Sequence, residues 1–166
     1  CIGVAILNHV KNAKVVFLER DKKFLEQIKI NCELNNINKE QYTIIQSDVF
    51  SNVKGKFDYV FANPPYIPIT TLLRQRLRKG KGKNKVQSSV LKYEPKKALF
   101  GGTNGLLYIR KFLAQAKNFL NPGGKIFMEF DYIQKSQIEK LLKHYGYKNW
   151  QFHKDQYGKW RWGVVQ

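Results

Sequence analysis

The sequence predicts an α/β fold built on a mostly parallel sheet that closes with an antiparallel hairpin. Apolar runs of strand length alternate with stretches whose apolar residues recur at helical spacing. The last two runs, around 148–153 and 160–165, have no helical stretch between them, which makes them an antiparallel pair. There are no internal repeats.

Taken in order, residues 2–10 predict a helix. Val15-Val16-Phe17-Leu18 is a short apolar run and predicts a buried strand. Residues 22–35 carry Phe24, Leu25, Ile28 and Cys32 at helical spacing and end in Asn35-Asn36, so Cys32 is expected in the core. Tyr42–Ile45 predicts the next strand and Phe57–Ala62 another buried one. Leu106, Leu107, Ile109, Phe112, Leu113, Ala116, Phe119 and Leu120 mark a long apolar helix over 105–120. Asn121-Pro122-Gly123-Gly124 is expected to stop it. Ile126–Phe130 predicts a strand, and 134–145 a helix closed by Gly146.

The chain has 166 residues, enough for one domain with its own core, and 1–166 is read as such. Two cysteines, Cys1 and Cys32, build neither a disulfide framework nor a zinc site, so no metal is expected and the chain reads as cytoplasmic. No apolar run approaches a membrane span, and no membrane association is expected. Thirty Lys and Arg face twelve acidic residues, a formal charge of +18. That balance attracts a polyanion or a partner bound to one. The densest stretch is the Gly- and Lys-rich loop 74–85, within a span from Asp58 to Glu94 that contains no other acid. It is expected either to steer an acidic substrate protein or to contact RNA or the ribosome. Surface lysines spread along the whole chain are the simpler reading of the net charge.

Asn63-Pro64-Pro65-Tyr66 directly follows the Phe57–Ala62 run. Two prolines make a stiff, extended turn, and a residue before proline is pushed out of the helical region. Asn63 is thereby held at a strand's carboxyl end, the edge where open α/β sheets bind ligands. The prolines donate no N–H, so the turn offers acceptors: the Asn63 side-chain oxygen and backbone carbonyls. Tyr66 adds a flat ring. These features suit a substrate –NH2, and the chemistry implied is modification of an amide or exocyclic amine nitrogen. An ordinary Asn-Pro turn is the plainer alternative.

These residues carry a family resemblance. Asn63-Pro64-Pro65-Tyr66-Ile67, the block from Tyr93-Glu94-Pro95 through Ala98-Leu99, Gly101-Gly102 and Gly105-Leu106, then Asn121-Pro122-Gly123-Gly124, and Asp155–Arg161 together resemble the HemK-type protein-glutamine N5-methyltransferases of peptide-chain release factors. These are class I S-adenosylmethionine-dependent methyltransferases with a Rossmann-like fold. The Asn-Pro-Pro-Tyr motif alone is shared with amino-methylases of DNA and RNA. The Glu-Pro to Gly-Leu block is more specific to the glutamine enzymes. Asn104 stands where the family usually has Asp. The resemblance places Cys1-Ile2-Gly3 at the start of the first helix, so the first strand, its Gly-rich loop and an amino-terminal helical domain are expected upstream of this sequence.

The resemblance implies S-adenosyl-L-methionine as cofactor and a release factor as protein substrate. Glu19, closing the Val15–Leu18 run, is assigned to the ribose hydroxyls. Asp48 is assigned to the adenine amino group and Val49 to the adenine ring; a turn or helix-capping Asp48 is equally consistent with the residues alone. Asn63, Pro64 and Tyr66 are the catalytic candidates, with Asn63 also facing the cofactor. Pro65 and Glu94 join them as substrate-binding candidates. A nucleic-acid amino-methyltransferase acting on adenine or guanine, favoured by the charge, is the alternative. A non-catalytic basic scaffold is the third reading.

Overall fold

The computed structural model describes residues 2–71, 92, 93 and 95–166. It divides into two compact units, Cys1–Gly55 and Lys56–Gln166. Hydrogen bonding divides the strands the same way, a parallel pair in the first unit and a four-stranded mixed sheet in the second.

The first unit runs α1 (Ile2–His9), β1 (Val15–Glu19), α2 (Leu25–Leu34) and β2 (Tyr42–Gln46). β1 and β2 are parallel and in register from Val15 opposite Tyr42 to Glu19 opposite Gln46. α1 buries Val4 and Leu7, and α2 buries Cys32, as its spacing predicted. Gly3 lets α1 approach β1 closely, because a Cβ there would press on the Phe17 ring. α2 stops where Asn36 takes φ 54°. The Asn36 amide then donates to the Glu33 carbonyl at 3.0 Å and the Ile37 amide to the Cys32 carbonyl at 3.0 Å. This pairing satisfies the last carbonyls of the helix and explains why Asn35-Asn36 terminates it.

The second unit contains β3 (Phe57–Ala62), a short helix α3 (Lys96–Leu99), α4 (Leu107–Ala116), β4 (Leu120–Glu129), α5 (Lys135–His144), β5 (Trp150–Lys154) and β6 (Trp160–Val165). The strand order is β3-β4-β6-β5. β3 and β4 are parallel, and β4–β6 and β6–β5 are antiparallel, so the expected carboxyl-terminal hairpin is present. Ile109, Leu113 and Ala116 of α4, Ile126 of β4, and Ile138 and Leu142 of α5 are all fully buried and make the core. Tyr147 is tied into it by its hydroxyl, which donates to the Leu113 carbonyl at 2.8 Å. Burial pushes that phenol up to about 12.

Two expectations need correction. The apolar helix is shorter than 105–120: α4 ends at Ala116, Lys117–Phe119 form a 3-10 turn, and Leu120 already belongs to β4. At its start, Gly102 and Gly105 take φ of 83° and 75°, which no helix accommodates. At its end, Asn121-Pro122-Gly123-Gly124 does not stop a helix but lies inside β4. The β3–β4 register jumps from Phe57–Leu120 to Tyr59–Lys125, so these four residues bulge out of the ladder. Pro122 has no N–H to give and Gly123 sits at φ 78°, so neither continues regular pairing. The second correction concerns β3, which is not a buried strand: Tyr59 is 59% and Phe61 42% exposed. Their rings lie across the sheet surface, Phe61 stacked on Phe127 at 5.0 Å and Tyr59 tilted against Phe127 at 6.2 Å. Lateral ring contact on a pleated face substitutes for enclosure.

Candidate active site

The second unit gathers one set of predicted residues. Asn63 follows the last residue of β3 and is exposed, while Pro64, Pro65 and Tyr66 are half-buried. All described peptide bonds are trans. The chain leaves the turn by pairing with the segment after α3. Ile67 donates its amide to the Leu99 carbonyl and accepts from the Gly101 amide, both at 3.0 Å, and Ile69 donates to Gly102 at 2.9 Å. Thr70 Oγ1 donates to the Thr103 carbonyl at 3.1 Å.

The glycines of that segment have a definite purpose. A Cβ on Gly101 would collide with the Pro65 and Gly105 carbonyl oxygens, and one on Gly105 with the Tyr66 carbonyl oxygen. Backbone therefore packs on backbone, and the Gly101–Gly105 turn is the floor on which Asn63–Tyr66 rests. Asn104 Oδ1 accepts the Leu106 amide, 3.2 Å away, in an Asx turn just before α4. That contact needs only a side-chain oxygen, so Asn serves as well as the Asp usual in the resembling family.

Tyr66 is fixed at both ends. Its hydroxyl donates to Glu129 Oε1 at 3.1 Å, at the carboxyl end of β4. Its carbonyl accepts from Gln134 Nε2 at 3.1 Å. The same Nε2 donates to the Gly105 carbonyl at 3.1 Å, and Gln134 Oε1 accepts the Asp131 amide at 3.1 Å. Burial, and then the neighbouring Glu129 carboxylate, push the Tyr66 phenol up to about 12. It is a neutral donor at every physiological pH and no proton acceptor. Tyr66→Phe is expected to cost about 1 kcal/mol, because Glu129 loses a donor. The folded-state value lies above the ordinary value of 10, so this contribution is complete below pH 10 and is lost as pH rises through about 12. Urea unfolding of both proteins at pH 8 and near pH 11.5 checks it: the stability gap should shrink at the higher pH.

The β5–β6 hairpin holds the last motif. The Asp155 carboxylate accepts the Tyr157 amide at 2.9 Å, the Lys159 amide at 3.0 Å and Arg161 Nε at 3.2 Å. The Lys159 amide first, with those other donors, holds its carboxyl below the usual range. Gly158 supplies the φ of 75° that the turn requires. The Arg161 carbonyl accepts the Phe130 amide at 2.9 Å, just past Glu129.

The first unit gathers the other set. Glu19 ends β1, and Ser47, Asp48 and Val49 follow β2, so all lie at one carboxyl edge of the parallel pair. The Ser47 amide donates to the Glu19 carbonyl at 2.9 Å. Glu19 Oε1 accepts the Asp21 amide at 2.7 Å, which orients the carboxylate. Val49 stands at φ 59°. A β-branched residue there is an outlier, costing of the order of 1–3 kcal/mol, and such strain clusters at ligand-holding positions. Ser47, only 3% exposed, sustains it: its Oγ donates to the Val49 carbonyl at 3.0 Å and accepts the Asn52 amide at 3.1 Å.

Glu94 and loop 74–85 lie outside the described residues. Sequence reasoning missed Glu129 and Gln134. A signal existed for Glu129: it closes the apolar run Ile126–Met128 as Glu19 closes Val15–Leu18. Gln134 had none, since its partners are backbone atoms distant in sequence. Among the described residues, no helix is long and apolar enough to cross a membrane.

The family described as "Methyltransferase small domain" matches residues 1–76. The release factor glutamine methyltransferase of Francisella tularensis subsp. tularensis is 34% identical over 145 residues, covering 87% of this chain and 46% of that protein. That of Clostridium botulinum is 32% identical over 168 residues, covering 95% and 53%. The bifunctional methyltransferase of Rickettsia bellii is 30% identical over 156 residues, covering 93% and 26%. The chain thus spans about half the length of the release factor enzymes it matches. Among solved structures, a methyltransferase from Pyrococcus furiosus superposes with a TM-score of 0.64 at 23% identity, covering 99% of this chain and 67% of that one. The hMettl16 catalytic domain, solved with the MAT2A 3′UTR hairpin 6, superposes with a TM-score of 0.72 at 12% identity, covering 99% and 59%. Both likenesses are of fold.

Proposed function

We propose that this chain, a class I methyltransferase by fold and a relative of the release factor glutamine methyltransferases, transfers a methyl group from S-adenosylmethionine to the side-chain amide nitrogen of a glutamine in a peptide-chain release factor. The observation that carries the reading is the exposed Asn63 at the end of β3, followed by a Pro-Pro-Tyr turn fixed against backbone on one side and Glu129 on the other.

Asn63 Oδ1 and the Pro64 carbonyl accept the two N–H bonds of the substrate amide, and the Tyr66 ring packs on the amide plane beside Pro65. S-adenosylmethionine, when bound, supplies an electrophilic methyl group. An amide nitrogen is a poor nucleophile, because its lone pair is delocalised. Two acceptors hold the lone pair on line, and they bind more tightly as positive charge grows on the nitrogen. The neutral Tyr66 phenol takes no proton, so the proton leaves to water. Glu94 orients the substrate, and the reaction runs in the cytoplasm.

The residues at the β1–β2 edge fit the cofactor. Glu19 has Oε2 to offer ribose hydroxyls beyond the Asp21 contact at Oε1. Asp48 offers an acceptor to the adenine amino group, and the strained Val49 presents an apolar surface to the ring. Glu19→Ala is expected to weaken S-adenosylmethionine binding roughly ten- to a hundred-fold, as loss of a charged hydrogen-bond acceptor does. Calorimetry on the full-length protein measures it, and an unchanged dissociation constant removes Glu19 from the site.

The charge of +18 favours a second reading, methylation of an adenine or guanine amino group. Under the first reading, loop 74–85 serves as a contact to RNA or the ribosome. Incubation of the full-length protein with radiolabelled methyl donor and either a release factor or total RNA and DNA separates the two readings. Label in the protein supports the glutamine enzyme, and label in nucleic acid alone supports the second. Label in neither leaves the non-catalytic scaffold.

A further inference from the structure

We propose that Gln134 is a positioning residue whose buried amide clamps the Tyr66 and Gly105 carbonyls and thereby fixes where the Asn63–Tyr66 turn presents its acceptors. The proposal rests on reading that turn as the place of methyl transfer. Gln134 is 2% exposed. Its side-chain amide makes three hydrogen bonds. Nε2 gives hydrogens to the Tyr66 and Gly105 carbonyls, and Oε1 takes the Asp131 amide. Carbonyls only accept and an N–H only donates, so this network admits a single orientation of the amide. A buried polar group satisfied at every position is rigid, and losing a partner there is costly.

The clamp is anchored in the core and acts on the turn. The Gln134 backbone N–H donates to the Asp131 carbonyl at 2.8 Å, and α5 follows at once, with Ile138 and Leu142 fully buried. On the other side, Gly105 leaves the room that Nε2 occupies: a Cβ there would stand 2.6 Å from it. Between Tyr66 and Asn63 lie only the two prolines, whose φ angles are locked. With φ fixed at both, few torsions are left to absorb a rotation of the Tyr66 peptide before it reaches Asn63 and the Pro64 carbonyl. Gln134 touches neither substrate nor cofactor in this account and acts through Tyr66.

Two variants of the full-length protein test this. Gln134→Glu keeps the acceptor for the Asp131 amide and removes the donors. Gln134→Met keeps the bulk and removes both. The clamp predicts that turnover on the release factor falls on the order of ten- to a hundred-fold in both. KM for the release factor and the dissociation constant for S-adenosylmethionine should stay within about three-fold, since only the aim of the acceptors changes. Amide exchange at Tyr66, Ile67 and Gly105 should accelerate. A role confined to starting α5 predicts instead that Gln134→Glu matches the unaltered protein. Normal turnover and exchange in Gln134→Glu overturn the proposal. So does a Gln134→Met protein that melts earlier but turns over normally while folded. Asn63→Ala, run alongside, separates the two levels. If it is inactive while the Gln134 variants are normal, only the clamp fails. If it is fully active, the reading of the turn fails and the clamp with it.

Discussion

Asn63→Ala is expected to lower methyl transfer a hundred-fold or more while S-adenosylmethionine affinity stays within a few-fold. Asn63 follows β3 directly, is exposed, and precedes two prolines that hold it extended. Removing one positioned acceptor for charge that develops in the transition state costs on the order of a hundred- to a thousand-fold in turnover. The substitution leaves the turn intact, because the contacts that hold it belong to Pro65, Tyr66 and Ile67. Folding stability should therefore change by only about 0.5 kcal/mol, as for most surface substitutions. Steady-state kinetics with labelled methyl donor and calorimetry give the two numbers. A near-normal turnover removes Asn63 from the catalytic assignment.

Gly105→Ala should cause the largest loss of stability of any single methyl addition in the second unit. Two penalties act together. At φ 75° an L-residue costs about 1–2 kcal/mol. The new methyl also falls on the Tyr66 carbonyl oxygen and crowds Gln134 Nε2, and such overpacking costs about 1–3 kcal/mol. A total of about 2–5 kcal/mol is expected in urea unfolding, together with loss of turnover from the displaced Asn63–Tyr66 turn. Gly123→Ala is the internal control. It shares the positive φ, at 78°, but a Cβ there meets nothing within 4 Å, so only the conformational cost of about 1–2 kcal/mol applies. Equal losses at the two positions would show that the close approach at Gly105 has no energetic role.

The contrast between these glycines also shows where sequence reasoning works. Periodicity located α1, β1, α2, β2, α5 and the hairpin, although β1, expected to be buried, is only half-buried along its whole length. It failed at Asn121–Gly124, where a signature that often ends helices sits inside β4 as a bulge; the local signal does not say which side of the turn is the strand. It failed at Tyr59 and Phe61 because an apolar run does not distinguish enclosed side chains from rings lying across a sheet face. In the candidate site, Asn63–Tyr66 was legible from proline chemistry alone. Gly101-Gly102 and Gly105-Leu106 were legible as parts of the family motif, but not as backbone pressed on backbone. Glu129 and Gln134 contact Tyr66 across 63 and 68 residues of sequence, and pairings at that range leave no local trace.

The central claim is that the chain methylates a glutamine side-chain nitrogen. The direct measurement is tandem mass spectrometry of a release factor after incubation with the full-length protein and S-adenosylmethionine. The account predicts one added methyl group on a glutamine side chain, absent when the protein carries Asn63→Ala. A release factor left unmodified while adenine or guanine in RNA acquires the methyl group would contradict it.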